Sequence, residues 1–223
     1  MRAPLLHRDD PAKAPLVGNV KVTREDWLNA AMDVLIRNGV DQVKVLALAG
    51  RLRVSRSSFY WYFKSRADLL DALLDHWQQT NTAALVAQAE APAETITQAV
   101  CNVFRCVINP LLFNTKLDFA VRDWARRAAN VRVVLQQSDT RRIDALSAMF
   151  SRFGYAPLEA YTRARILYYM QIGYDDADLH EPTAARMKLL PMYLLGFTGR
   201  QARPGEIEAF MAYAYEIETS DAP

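Results

Sequence analysis

The sequence predicts an all-α protein in two parts: an N-terminal three-helix helix-turn-helix domain and a longer helical body behind it. Three observations carry this reading. Apolar residues recur at three- and four-residue spacing along most of the chain, with no convincing period-two segment and no internal repeat. Three short helical segments joined by three- or four-residue turns fit within roughly 40 residues, the spacing of a helix-turn-helix. Positive charge gathers at the same end: residues 1–70 hold 12 Lys and Arg against 7 Asp and Glu, and the remainder holds 15 against 18.

The elements follow in order. Residues 1–20 read as a loose Pro/Ala tail without the apolar core of a signal peptide. Thr23 to Asn38 forms an amphipathic helix, with Trp27, Ala30, Ala31, Val34 and Leu35 on one face and Asn38-Gly39 as its stop. Val45, Leu48, Ala49 and Leu52 define a second helix, and Ser55 caps a third. Asp68 to Trp77 begins a longer fourth. The predicted domains are 21–66 and 67–223.

The body continues in the same period. Ile96, Val100, Phe104 and Val107 mark one helix, interrupted at Pro110, and Leu117, Val121, Trp124 and Ala128 mark the next. Another runs from Val131 to Phe153 and is closed by Gly154. Pro157 fits the first turn of a helix through "RARILYYMQIGY". After an acidic loop comes "AARMKLLPMYLLGF", expected to bend or split at Pro191. "RPGEIEAFMAYAYEI" closes the chain.

Between residues 44 and 66 stand Lys44, Arg51, Arg53, Arg56, Lys64 and Arg66, with no carboxylate among them. Such a patch on a chain of net charge +2 points to a polyanion met by one small region, or to a solvated helical surface. The run "SFYWYF" inside it discriminates. Successive residues of a helix advance by about 100°, so Phe59 to Phe63 surround the axis. Phe59 and Phe63 belong with Trp27, Leu48 and Leu52 in the core. Tyr60, Trp61 and Tyr62 are then pushed toward solvent among cations, placed for phosphate, sugar and thymine methyl contacts. The competing reading packs those rings under the fourth helix.

The segment "VSRSSFYWYFKSRADLLDALL" resembles the recognition helix and following helix of the tetracycline-repressor (TetR) family, through Val54, Ser55, Phe59, Tyr60, Tyr62, Phe63, Arg66, Leu69 and Leu70. The likeness is specific over about 50 residues and architectural beyond them. It implies a cytoplasmic homodimer that binds double-stranded DNA at a palindromic operator and responds to a small-molecule effector, most often as a repressor. Carried over by position, the DNA-facing set is Thr23, Lys44, Ser55, Arg56, Ser57, Ser58, Tyr60, Trp61, Tyr62, Lys64 and Arg66. Arg56 is suited to guanine, since its fork bonds two acceptors. Thr23 is explained equally well as the cap of its own helix. The family pattern is broken at Arg53, where Gly is usual and a left-handed backbone is required, at Lys44 in place of a capping Thr, and at Leu46 in place of a frequent Arg.

The resemblance also implies an apolar effector cavity and a dimer bundle in the body. Phe104, Phe113, Trp124, Met149 and Tyr168 are ligand-binding candidates, with Arg105 or Arg127 for an anionic head; each also reads as plain core or surface. The helix through Ile166, Tyr169, Met170 and Gly173 is apolar on two sides. With Phe210, Met211, Ala214 and Ile217 of the last helix it would form the dimer interface, or else it lies buried at the centre of the body.

Other functions find little support. The chain has no Walker loop, GxGxxG, HExxH or GxSxG, and only three histidines, at 7, 76 and 180, so no catalytic residue, metal site or cofactor is expected. Cys101 and Cys106 are five positions apart on one helix, too far around and along it for a disulfide, and read as small buried hydrophobes. No stretch is long and apolar enough to span a membrane. The alternative to a DNA-binding regulator is a helical binding module whose N-terminal unit contacts another protein.

Overall fold

A computed structural model describes residues 22–220. The tail expected over 1–20 lies outside them. Among the described residues the chain forms ten α-helices joined by short turns, without strands. By contacts the described residues divide into two compact units: one comprises those up to Trp77 together with Lys116–Leu135, the other Gln78–Thr115 together with those from Gln136. The sequence puts its boundary near residue 67; the division falls ten residues later and returns a second segment to the first unit.

In the first unit, α1 (Arg24–Asn38) opens on a reciprocal cap. Thr23 Oγ1 accepts from the Asp26 N–H at 3.1 Å, and Asp26 Oδ2 accepts from the Thr23 N–H at 2.8 Å. Gly39, at φ 80°, ends it by donating its N–H to the Leu35 carbonyl. A 3-10 turn, Val40–Gln42, leads into α2 (Val45–Leu52). Arg53 terminates α2 in the left-handed region, φ 56° and ψ 44°, as the sequence requires of that position. The third element, Arg56–Trp61, is a 3-10 helix rather than the α-helix expected, and Ser55 makes no side-chain cap to it. Then α3 (Arg66–Trp77) begins where Ser65 Oγ accepts from the Asp68 N–H.

Trp27, Leu48, Leu52, Phe59, Phe63, Leu69 and Leu73 form the buried centre of this unit. The Trp27 ring meets Phe59 edge-on at 5.2 Å between centroids, and Phe59 stacks on Phe63 at 5.4 Å. The returning segment, α6 (Thr115–Arg127) with the first turns of α7 (Ala129–Arg152), adds Leu117, Val121, Trp124 and Val131 to the same core. Trp77 explains the late boundary: its indole N–H donates to Asp118 at 2.8 Å, and Asp118 also pairs with Arg122.

The second unit starts with a π-helical turn, Gln78–Thr82, a wide loop of backbone that the apolar spacing does not announce. The turn brings two polar residues inward. Asn81 exchanges two hydrogen bonds with the backbone of Asn114, and Thr82 accepts from Arg142 Nε at 3.0 Å. Arg142 is fully buried, lies over the Phe113 ring and donates to the Tyr168 hydroxyl. The body is completed by α4 (Ala83–Glu90), α5 (Ile96–Ile108), α8 (Pro157–Asp176), α9 (Thr183–Thr198) and α10 (Pro204–Ser220). Pro191 does not split α9, which continues through it to Thr198. No helix among the described residues is long and apolar enough to cross a membrane.

Candidate functional site

The basic patch sorts into committed and uncommitted cations. Arg51 pairs with Asp33, which also holds Arg37. Arg66 turns inward: its Nε donates to the Val43 carbonyl and its Nη2 to the Val40 carbonyl, each at 2.6 Å, so it braces the turn before α2. Lys44, Arg53 and Lys64 are exposed and have no carboxylate partner among the described residues. Arg56 reaches back to the Tyr60 hydroxyl at 3.0 Å and lies over its ring.

The aromatic run separates by geometry. Trp61 is 74% exposed and Tyr60 48%. Tyr62 is half-buried and donates its hydroxyl to the Val22 carbonyl, against the expectation that all three rings face solvent. The 3-10 helix is the reason: with three residues per turn, Tyr62 falls on the side of Phe59. Beside these rings Ser55 and Ser57 are exposed with their hydroxyls 2.8 Å apart, and Ser58 donates to the Ser55 carbonyl. Leu46, 72% exposed on α2, is an apolar member of the exposed surface for which the sequence proposes no role. Thr23 is held by its own helix cap.

The body has a cavity of about 460 Å³, open mouth included. Phe104, Val107 and Ile108 of α5 form one wall, and Met170, Gln171 and Tyr174 of α8 another. From α9 come Arg186, Met187, Leu190, Tyr193 and Phe197, and from α10 Phe210. Of the ligand-binding candidates only Phe104 lines it. Arg105 faces a separate polar cleft and stacks on Tyr213; Phe113 lies under Arg142; Met149 is buried core; and Tyr168 donates to Asp139. Trp124 and Arg127 belong to the first unit, the one buried there and the other paired with Asp123. Sequence reading missed most of the cavity because its walls are ordinary core spacing on four helices that only the fold brings together. Arg186 was not legible either, since Lys188 stands two residues on in the same apolar stretch.

On α8, Ile166 and Tyr169 are exposed large apolar residues and Gly173 is exposed. Met170 turns into the cavity instead. On α10, Phe210 and Ala214 are buried in their own chain, and Met211 and Ile217 are intermediate. The apolar residues exposed beside α8 are those of α9, Leu189, Met192 and Tyr193. Among the described residues no group of His, Cys, Asp and Glu is arranged to hold a metal.

The first unit thus presents an exposed cationic and aromatic face on a compact helix-turn-helix, and the second holds an apolar cavity. Residues 28–73 match the family model for bacterial regulatory proteins of the tetR family, the segment from α1 to α3. A tetracycline repressor protein of class A from transposon 1721 of Escherichia coli is 27% identical over 146 residues, 66% of this chain and 62% of that protein. An HTH-type transcriptional regulator of Saccharopolyspora erythraea is 37% identical over 54 residues, 24% of this chain and 23% of that one. The chain thus matches about three fifths of the first relative's length and about a quarter of the second's. Among solved structures, AmtR of Mycobacterium smegmatis shares the fold at TM-score 0.58 and 16% identity, covering 90% of this chain and 98% of that one. A transcriptional regulator of Rhodococcus sp. Rha1 matches at TM-score 0.58 and 18% identity, covering 91% and 100%. Residues 28–73 thus carry a segment of that family, and the chain shares the fold of these solved structures.

Proposed function

We propose that this protein is a homodimeric transcriptional repressor that grips a palindromic operator and lets go when a small molecule occupies its body. The exposed face built by Arg56, Tyr60, Trp61 and Lys64 carries the reading. Cations without carboxylate partners attract phosphates, and polar-tipped rings at the surface meet sugar, phosphate and base edges. Lys44 and Arg53 add charge on the same module. Tyr62 and Arg66 serve it by holding the helices in place.

Dimerisation rests on the exposed apolar side chains of α8 and α9: Ile166, Tyr169, Leu189, Met192 and Tyr193. Apolar surface of that kind on packed helices is suited to burial against a second copy. A dimer presents two recognition elements, and half-sites about 34 Å apart or a multiple of it would accept them. An effector that favours a different separation lowers operator affinity through that geometry. The regulator needs no catalytic residue.

The test is a mobility-shift assay with the purified chain on the DNA adjoining its own gene, searched first for an inverted repeat. Binding to the repeat with a stoichiometry of two chains supports the reading. Equal affinity for the repeat and a scrambled duplex contradicts it.

A further inference from the structure

The cavity of the body has an electrostatic feature that its apolar walls do not need. Arg186 lines it half-buried, and its guanidinium has no hydrogen-bond acceptor or carboxylate among the described residues. Its one neighbour of note is the Tyr174 ring, 5.6 Å from the guanidinium carbon. Glu181 lies near but forms no ion pair with Arg186, and its Oε2 accepts the Tyr174 hydroxyl at 2.5 Å. Burial and that hydrogen bond push the Tyr174 phenol up to about 12, so the ring carries no charge to pair with Arg186. A half-buried guanidinium beside apolar walls loses hydration, and a ring contact leaves its N–H donors without acceptors that an anion would supply.

The rest of the cavity is shaped by rings. Phe104 meets Phe197 edge-on at 6.0 Å and Phe210 at a tilt at 6.3 Å, and Tyr193 stacks on Phe197 at 6.2 Å. Such faces favour another ring or a flat apolar body.

We infer that this cavity binds a small ring-bearing apolar molecule with one acidic group, the acid on the Arg186 guanidinium and the body among Phe104, Phe197 and Phe210. The inference rests on the proposed regulatory function only for the consequence of binding. The binding itself stands on the cavity.

Two dyes with the same rings test it on the full chain by fluorescence titration: 8-anilinonaphthalene-1-sulfonate, which carries an anion, and N-phenyl-1-naphthylamine, which does not. Arg186→Gln should weaken the sulfonate about tenfold and shift the neutral dye by less than about twofold, the effect of losing one charge-assisted contact. Arg186→Lys should restore most of the sulfonate binding. Val107→Trp, which fills the cavity from a half-exposed position, should reduce both dyes; thermal melting verifies that each variant is folded. Absence of sulfonate binding to the unmodified chain overturns the inference, as does equal binding in Arg186→Gln or indifference of both dyes to Val107→Trp. An operator assay without dye separates the two claims: its failure would sink the regulatory reading and leave the dye result intact.

Discussion

Tyr62 donates its hydroxyl to the backbone carbonyl of Val22 at 2.8 Å, joining the end of the 3-10 helix to the chain that enters α1. The contact spans 40 residues and turns inward a side chain whose position in the motif suggests DNA. Tyr62→Phe should therefore cost about 1 kcal/mol of stability, the net value of one hydrogen bond, measured by urea unfolding. An unchanged unfolding midpoint would mean that the hydroxyl has no structural role.

Arg53 occupies a left-handed conformation in which Gly carries no penalty. Arg53→Gly should stabilise the protein by about 0.5–1 kcal/mol, the relieved backbone cost less the entropy Gly adds to the unfolded chain. A rise in melting temperature alongside weaker nonspecific DNA binding would display both effects of that position. A fall in melting temperature would show that the Arg53 side chain contributes more than its backbone costs.

These positions also mark how far the sequence could be read. The Arg53 conformation, the Gly39 stop and the Trp27/Phe59/Phe63 core were legible because each depends on neighbours within one motif. The 3-10 geometry of Arg56–Trp61 was not, since the apolar spacing of so short a segment fits either helix. The inward turn of Tyr62 and Arg66 was hidden for the same reason: their acceptors, at Val22, Val40 and Val43, are backbone carbonyls and leave no trace in residue type. The π turn at Gln78–Thr82 and the cavity around Arg186 depend on partners 30 or more positions away, such as Asn114 and Arg142. Local periodicity carries no such information.

His76 gives a pH dependence of known sign. Burial lowers its pKa below the ordinary 6.5, against the opposing field of Glu25. Above pH 6.5 the ring is neutral in both folded and unfolded chains and contributes nothing to the slope. As pH falls below 6.5 the unfolded chain takes up the proton first, so stability declines until the folded-state value is reached. Unfolding midpoints between pH 7.5 and about 5.5, above the carboxylate range, should fall for the unmodified chain and flatten in His76→Gln. The same decline in the variant would assign the slope to another group.

Cys101 and Cys106 are free and buried, and burial pushes both thiols up to about 12. The thiolate is the reactive form, so neither should react with a disulfide reagent at pH 8 on the timescale of an exposed thiol, while both should react once the chain is unfolded in denaturant. Rapid reaction of either in the native protein would show that α5 opens.

The central claim is that Arg56, Tyr60, Trp61 and Lys64 form a surface that DNA occupies. Its most direct measurement is the fluorescence anisotropy of a labelled operator duplex across a salt series, with the unmodified chain and with Arg56→Ala/Lys64→Ala. The account predicts steep loss of affinity with salt, and a double variant at least about tenfold weaker with a slope shallower by about one or two. A double variant that binds with the same affinity and the same salt slope would contradict it.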